Sequence, residues 1–263
     1  MRENTALSAW QRDEQTIGLW LSLANTYSAE VMANLGFDWV CVDMQHGLID
    51  YTDLVRMLPA ISTSNATPLV RVPWNEPYEI MKALDAGAYG VIVPMVNNHE
   101  EADQAVMACR YPPLGNRSFG PIRAAVYGGR GYAVEANDQI ACIAMIETAE
   151  GIANADDIMS TPGLNGVYIG PADLALSLGL PAMGDQPQEE HLVVVKDLLA
   201  KCKTHGIAAG IHTSSLEYAQ KYLALGFNFV TLGSDSGHMT KNAVKELAAA
   251  RGGVATQREN TGY

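Results

Sequence analysis

Two carboxylates, a guanidinium and an imidazole stand at the ends of short apolar runs in this sequence. Arg71 interrupts Leu69-Val-Arg-Val, and Glu147 closes Ile140-Ala-Cys-Ile-Ala-Met-Ile. Asp173 follows Gly170-Pro171-Ala172, directly after Gly166-Val-Tyr-Ile, and His46 comes just past Asp43 and Gln45 at the end of Trp39-Val-Cys-Val. A charge in such a place is costly unless it meets a counter-charge, a hydrogen-bond network or a ligand. Two carboxylates, with water and substrate oxygens completing the shell, suit Mg2+ or Mn2+, which prefer oxygen ligands. A guanidinium in an apolar strand must find an anion, and an imidazole with polar neighbours can move protons near neutral pH. Together they form a kit for holding a divalent cation and an anionic carbonyl compound.

Each residue also has a plainer use. Glu147 and Asp173 could cap the helices that follow them, and Arg71 could belong to a structural ion pair. His46 could be a hydrogen-bonded structural imidazole, were it not for Asp43 and Gln45 beside it. His212, Ser234 and Asp235 end two further runs, and His212 is open to either use. Gly170-Pro171-Ala172 suits the opening of a short helix, whose free N–H groups and positive dipole end would seat a carboxylate.

These residues need a scaffold that brings strand ends together. Val/Ile-rich runs predict strands at Thr16–Leu23, Trp39–Asp43, Pro68–Val72, Gly90–Pro94, Ile140–Glu147, Gly166–Gly170, Ile207–His212 and Asn228–Gly233. They are continuous rather than alternating, as expected of a parallel sheet covered on both faces. Helical periodicity fills the intervals, most clearly at Ser28–Leu35, Thr52–Thr63, Glu76–Ala86, Glu100–Arg110, Gly151–Met159, Glu189–His205, Ser215–Leu225 and Lys241–Ala250. Gly36, Gly87 and Gly226 stand where a left-handed C-cap would turn a helix into the next strand. Eight strand–helix units in 263 residues predict an α/β fold, a closed TIM (β/α)8 barrel over residues 16–250, with an oligomerising C-terminal helix. An open doubly wound sheet would usually carry a Gly-rich phosphate loop after its first strand, and Leu23-Ala-Asn-Thr-Tyr is none. Residues 1–15 and 251–263 are expected as tails or subunit-contact arms. The Gly-, Pro-, Arg- and Tyr-rich stretch Tyr111–Asp138 is long enough to be a lid or binding loop.

The formal net charge of -12 makes nucleic acid a poor partner, and any anion site needs local positive charge. Cys41, Cys109, Cys142 and Cys202 are scattered, as reduced buried thiols in a cytoplasmic protein would be. Neither a signal peptide nor an apolar run of about 20 residues is found, so no membrane role is expected. All seven lysines fall on predicted helices or their ends, which argues against Schiff-base chemistry from a barrel strand.

Several ordered motifs, from about Thr16 to Arg251, carry a resemblance. They include Phe37-Asp-Trp-Val-Cys-Val-Asp-Met-Gln-His46, Val70-Arg71-Val, Lys82-Ala-Leu-Asp85-Ala-Gly-Ala and Val93-Pro-Met-Val. Further along come Arg110-Tyr-Pro-Pro-Leu-Gly-Asn-Arg117, Met145-Ile-Glu147-Thr and Gly166-Val-Tyr-Ile-Gly-Pro-Ala-Asp173-Leu. The chain resembles the class II, pyruvate-dependent aldolases of the HpcH/HpaI type, which include 4-hydroxy-2-oxoheptanedioate and 2-dehydro-3-deoxyglucarate aldolases.

The resemblance implies that Glu147 and Asp173 ligate a divalent metal, Mg2+, Mn2+ or Co2+, and that Arg71 stabilises an enolate oxygen. It further implies that His46 is the acid/base group, working through water with Asp85 raising its basicity. Gly170, Pro171, Ala172 and Asp173 would hold the 2-oxo acid carboxylate. The partners would be a small 2-oxo acid and an aldehyde, and the assembly a homotrimer or homohexamer with subunit edges near the active sites. Met145 departs from the family, where Gln is usual two residues before the metal-binding Glu, so a polar contact to substrate is lost. The stretch Gly47-Leu-Ile-Asp50 also differs. Two rivals stand beside this reading. A malyl- or citramalyl-CoA-type lyase would need a basic surface for CoA phosphates, which this acid-rich chain lacks. A non-catalytic 2-oxo-acid-binding barrel is encouraged by Met145 alone.

Overall fold

The computed structural model describes residues 1–253. Eight parallel strands close into one barrel in sequence order, β1-β2-β3-β4-β5-β6-β7-β8. They are β1 (Thr16–Leu21), β2 (Trp39–Asp43), β3 (Thr67–Arg71), β4 (Gly90–Val93), β5 (Ala141–Ile146), β6 (Gly166–Ile169), β7 (Ala208–Ile211) and β8 (Phe229–Ser234). The early helices are α1 (Thr5–Gln11), α2 (Thr26–Ala33), α3 (Tyr51–Ile61), α4 (Pro77–Asp85), α5 (His99–Cys109), α6 (Ile122–Gly128) and α7 (Tyr132–Gln139). They are followed by α8 (Ala149–Ala153), α9 (Ala155–Met159), α10 (Pro171–Ser177), α11 (Glu189–His205), α12 (Leu216–Leu225) and α13 (Asp235–Ala250).

The continuous apolar runs follow from this arrangement, because the strands are buried on both faces almost throughout, Ile17 in β1 being exposed. Outward side chains such as Val40, Val42, Val70, Val91, Val167 and Val230 pack under the helices. Inward ones fill the barrel itself: Trp20, Trp39, Cys41, Leu69, Ile92, Ile143, Met145, Tyr168 and Phe229. The helix ends are signalled as expected: Gly36, Gly87 and Gly226 have φ of 98°, 107° and 99°. Such values are free of steric cost only for glycine.

Two stretches differ from their sequence reading. The N-terminal fifteen residues, expected as a tail, contain α1, which closes the N-terminal end of the barrel. Ala6, Leu7 and Trp10 join the inner core, and Trp10 stacks on Phe229 with ring centroids 4.4 Å apart. The Trp10 and Trp39 indole N–H groups both donate to Thr16 Oγ1, at 2.8 and 3.2 Å, so the aromatic plug leaves neither donor unmet. The helix is too short and too near the terminus for periodicity to reveal it. The long connection after α5 is no open loop either: it carries α6 and α7, with Ala124, Tyr132 and Ala136 buried. The C-terminal helix is present as α13, whose one buried residue is Asp235. The expected tail 251–263 lies almost wholly outside the described residues. Among the described residues no helix is long and apolar enough to cross a membrane.

Candidate active site

The C-terminal ends of β2, β3, β5 and β6 bring Asp43, His46, Arg71, Glu147 and Asp173 to one mouth. Asp43 and Arg71 are paired in register on neighbouring strands. Arg71 Nε donates to Asp43 Oδ1 at 2.8 Å and Nη2 to Oδ2 at 2.6 Å, a fork-on-carboxylate contact that fixes the guanidinium plane. Arg71 is 2% exposed and Asp43 1%, so the pair is desolvated. Burial alone would raise the Asp43 pKa, but the bonds from Arg71 outweigh it and hold the carboxyl below its ordinary range. Asp43 Oδ1 also accepts from the backbone N–H groups of Gln45 and His46, at 3.1 and 3.3 Å, curling the chain so that His46 stands on the exposed rim. The structural ion pair foreseen for Arg71 therefore exists. Its acid, however, serves the guanidinium and the turn.

Glu147 is buried, and the plainer reading of it as a helix cap does not hold, because Thr148 Oγ1 accepts from Gly151 N–H at 2.9 Å and caps α8. Glu147 Oε1 instead accepts from Met95 N–H at 2.9 Å. Met95 is one of two non-glycine residues with positive φ among the described residues, at 56°, a strain of roughly 1–2 kcal/mol located where its N–H must be turned inward. The other carboxylate oxygen faces Gly170: a Cβ on that residue would stand 2.3 Å from Oε2. Burial pushes the Glu147 carboxyl up to about 7, with Met95 and Arg71 opposing and the negative charge of Asp173 adding to the rise.

Asp173 lies half-buried in the first turn of α10, whose N-cap Gly170 makes no side-chain cap bond. Pro171 occupies the first helical position, and the first-turn N–H groups, Ala172 among them, have no acceptor within the helix. Burial and the positive charge of Arg71 lower the His46 pKa, against opposing pulls from Asp43 and Asp173. Met145 is 2% exposed, packed in the inner core against the position a Gly170 Cβ would take.

Asp85 is the exception. It ends α4, which delivers the chain to the start of β4, so it lies at the opposite end of the barrel from His46. There it accepts from Arg117 Nη2 at 2.7 Å, and the groups that bear on its charge are Arg117 and Lys82. Within one chain the Asp85–His46 pair does not form.

The residues fit a divalent cation. Burial and the nearby charge of Asp173 both disfavour the ionised Glu147, a cost that a bound cation would offset, and Gly170 carries no side chain to crowd Oε2. Among the described residues no group of three His, Cys, Asp or Glu could by itself hold a metal; a cation held by Glu147 and Asp173 would take its other ligands from water and substrate oxygen. That donor set suits Mg2+, Mn2+ or Co2+ better than zinc held in a closed structural site. The seven lysines lie on helices, none on a strand.

The sequence alone gave no reason to single out Met95, whose N–H holds Glu147, or Trp20 and Tyr168, which line the floor. Their inward orientation follows from strand register, which apolar runs do not reveal.

The two carboxylates, the clamped arginine and the rim histidine stand at the C-terminal mouth, the end at which (β/α)8 barrels carry their active sites. The model of the HpcH/HpaI aldolase/citrate lyase family matches residues 16–242, and the chain belongs to that family of carbon–carbon lyases. A hydroxypyruvate/pyruvate aldolase of Rhizorhabdus wittichii is 41% identical over 248 residues, covering 94% of this chain and 99% of the relative. A 4-hydroxy-2-oxo-heptane-1,7-dioate aldolase of Escherichia coli is 36% identical, with 97% of each covered. The crystal structure of an HpcH/HpaI aldolase/citrate lyase family protein from Burkholderia cenocepacia J2315 matches with a TM-score of 0.88 at 35% identity, covering 94% of this chain and 99% of that one.

Proposed function

We propose that the protein is a metal-dependent aldolase that reversibly adds the enolate of pyruvate, or of a close 2-oxo acid such as hydroxypyruvate, to an aldehyde, giving a 4-hydroxy-2-oxo acid. The observation that carries this reading is the buried Glu147 carboxylate beside Asp173, within the field of the clamped Arg71. Glu147 and Asp173 would hold the ion, Mg2+, Mn2+ or Co2+. Such an ion supplies Lewis-acid stabilisation of charge developing on the substrate carbonyl.

The remaining steps fall to the chain itself. First-turn N–H groups of α10, Ala172 above all, receive the substrate carboxylate, and Pro171 and Gly170 keep that backbone close. Arg71, its plane fixed by Asp43, donates to the enolate oxygen as charge develops, which costs no reorganisation at the moment of reaction. His46, on the rim with a lowered pKa, takes and returns the proton of the hydroxyl on the bond being made or broken, through a water molecule. Met145 gives the substrate an apolar wall.

Asp85 can serve His46 only from a second copy of the chain. Around its end of the barrel, Leu114, Phe119, Ile122, Val126 and Val134 are each more than half exposed, an apolar surface suited to subunit contact in a trimer or hexamer. The test of the whole reading is exchange of the pyruvate methyl protons with D2O, followed by NMR. Exchange should stop in EDTA and return with Mn2+ or Mg2+; exchange at full rate in chelator removes the metal role.

A further inference from the structure

His212 sits one residue beyond β7, with its backbone N–H donating to Ile169 O at 3.2 Å. That bond places it beside Gly170, at the wall of the mouth facing the proposed carboxylate seat. Its imidazole meets Trp20 edge-on, ring centroids 5.1 Å apart, and the same indole lies under the Arg71 guanidinium at 5.1 Å. A 2-oxo acid held between α10 and Arg71 therefore has Trp20 and His212 as its next neighbours.

The floor beneath His212 carries a cluster of buried hydroxyls, from Tyr168, Thr213 and Thr231. Tyr168 is fully buried, stacked between Trp20 and Phe229 at 5.4 and 5.6 Å. Its hydroxyl bonds to the Thr231 hydroxyl and lies 3.3 Å from His212 Nδ1, with Thr231 Oγ1 at 3.4 Å from the same nitrogen. Thr213 Oγ1 donates in turn to the Thr231 carbonyl. Buried hydroxyls are costly unless they form a satisfied network, and this one grips the imidazole by Nδ1. A merely space-filling side chain would need no such floor. His212 is half-buried at the C-terminal end of β7, and its Nε2 has no hydrogen bond among the described residues and is not sealed from solvent.

Burial, with Arg71 beside it, pushes the His212 pKa down to about 4, so the ring is neutral in ordinary buffers. A neutral imidazole neither competes with Arg71 for an anion nor offers a charge to one. Whichever tautomer it takes, Nε2 either donates or accepts one hydrogen bond, and a hydroxyl group can answer both.

We propose that His212 is a specificity-determining residue whose Nε2 hydrogen-bonds a hydroxyl on the carbon next to the carbonyl of the bound 2-oxo acid, so that the pocket favours hydroxypyruvate over pyruvate. This rests on the aldolase reading and names the substrate class of that same site. The test compares kcat/KM for hydroxypyruvate and pyruvate, with one aldehyde and saturating Mn2+, in the wild-type protein, His212→Leu and His212→Gln. The wild type should prefer hydroxypyruvate. His212→Leu should lower that preference about tenfold, the size of one neutral hydrogen bond. His212→Gln, whose amide nitrogen reaches the place of Nε2, should restore most of it. A wild type without the preference overturns the proposal whether or not the variants fold, and so does a folded His212→Leu with an unmoved ratio. Methyl-proton exchange in the wild type separates the two claims: no metal-dependent exchange sinks the aldolase reading, whereas exchange with an unmoved ratio sinks only the role of His212.

Discussion

Two arginine–aspartate pairs stand at opposite ends of this barrel, and they are built differently. At the mouth, Arg71 grips Asp43 with two bonds and both side chains are all but sealed from solvent. At the other end, Arg117 reaches Asp85 with one bond, and Asp85 remains 16% exposed. Arg117 rests on aromatic faces, 4.5 Å from the Tyr111 ring centroid and 5.7 Å from that of Tyr132, while its Nε and Nη1 are buried without a hydrogen-bond partner. The first pair is complete in one chain, as a group that must be in place before substrate arrives should be. The second leaves hydrogen-bonding capacity over, as expected of a unit finished by something outside the chain.

Replacing each arginine by methionine tests that contrast most forcefully. Arg71→Met should lower kcat/KM by roughly 10^2–10^3, the usual cost of losing one preorganised donor to a developing oxyanion. It should also cost about 3–5 kcal/mol of stability, because Asp43 is left as an uncompensated buried charge. Arg117→Met should cost less, about 1–2 kcal/mol, since the half-buried Asp85 can turn to water. Urea unfolding and steady-state kinetics on both variants decide the matter. Equal stability losses would erase the distinction between the two pairs.

A second experiment asks whether Asp85 acts across a subunit boundary. His46→Ala and Asp85→Asn should each reduce turnover by about 10^2, the usual contribution of a positioned acid/base group. Co-expressed in equal amounts and purified together through separate tags, the two variants should recover activity. In a cyclic trimer that contains both variants, about one site in three would combine an intact His46 with a neighbour's intact Asp85. Mixed assemblies no more active than their parents would show that Asp85 belongs only to its own chain's ion pair.

Much of this architecture was legible in the sequence because burial on both faces leaves a plain mark. All eight strands were located to within two residues at either end, and the glycine C-caps appeared where the chain turns. Glu147, Arg71 and His46 stood out because a charged or polar group ending an apolar run is improbable without a task. The relation of Asp85 to His46 came from resemblance alone, and one chain cannot contain it: the C-terminal end of α4 and the C-terminal end of β2 point to opposite faces of a barrel. The α1 plug was illegible for another reason. Its Ala6, Leu7 and Trp10 are too few to establish a helical period, and what buries them is the barrel floor assembled from residues far along the chain. The polar floor under His212 was hidden likewise, because Tyr168 and Thr231 meet only when β6 and β8 lean into the same interior.

The finest contrast between the two pairs is in the sign of their response to pH. Asp43 has its pKa held below 3.8 in the folded protein by Arg71, which outweighs burial; Asp85 has its pKa raised above 3.8, because burial outweighs its single bond to Arg117. A depressed carboxylate stabilises the fold above the unfolded value and loses that contribution as pH falls through the folded one. A raised carboxylate does the reverse: its contribution is complete below 3.8 and is lost as pH rises through the folded pKa. Urea unfolding of the wild type, Asp43→Asn and Asp85→Asn should therefore be followed from pH 3 to pH 6. The stability gap between wild type and Asp43→Asn should widen with rising pH, and the gap for Asp85→Asn should move the other way by a smaller amount. Two gaps moving in the same direction would mean that Arg117 neutralises Asp85 as fully as Arg71 does Asp43, and that the pair at the far end is as self-sufficient as the one at the mouth.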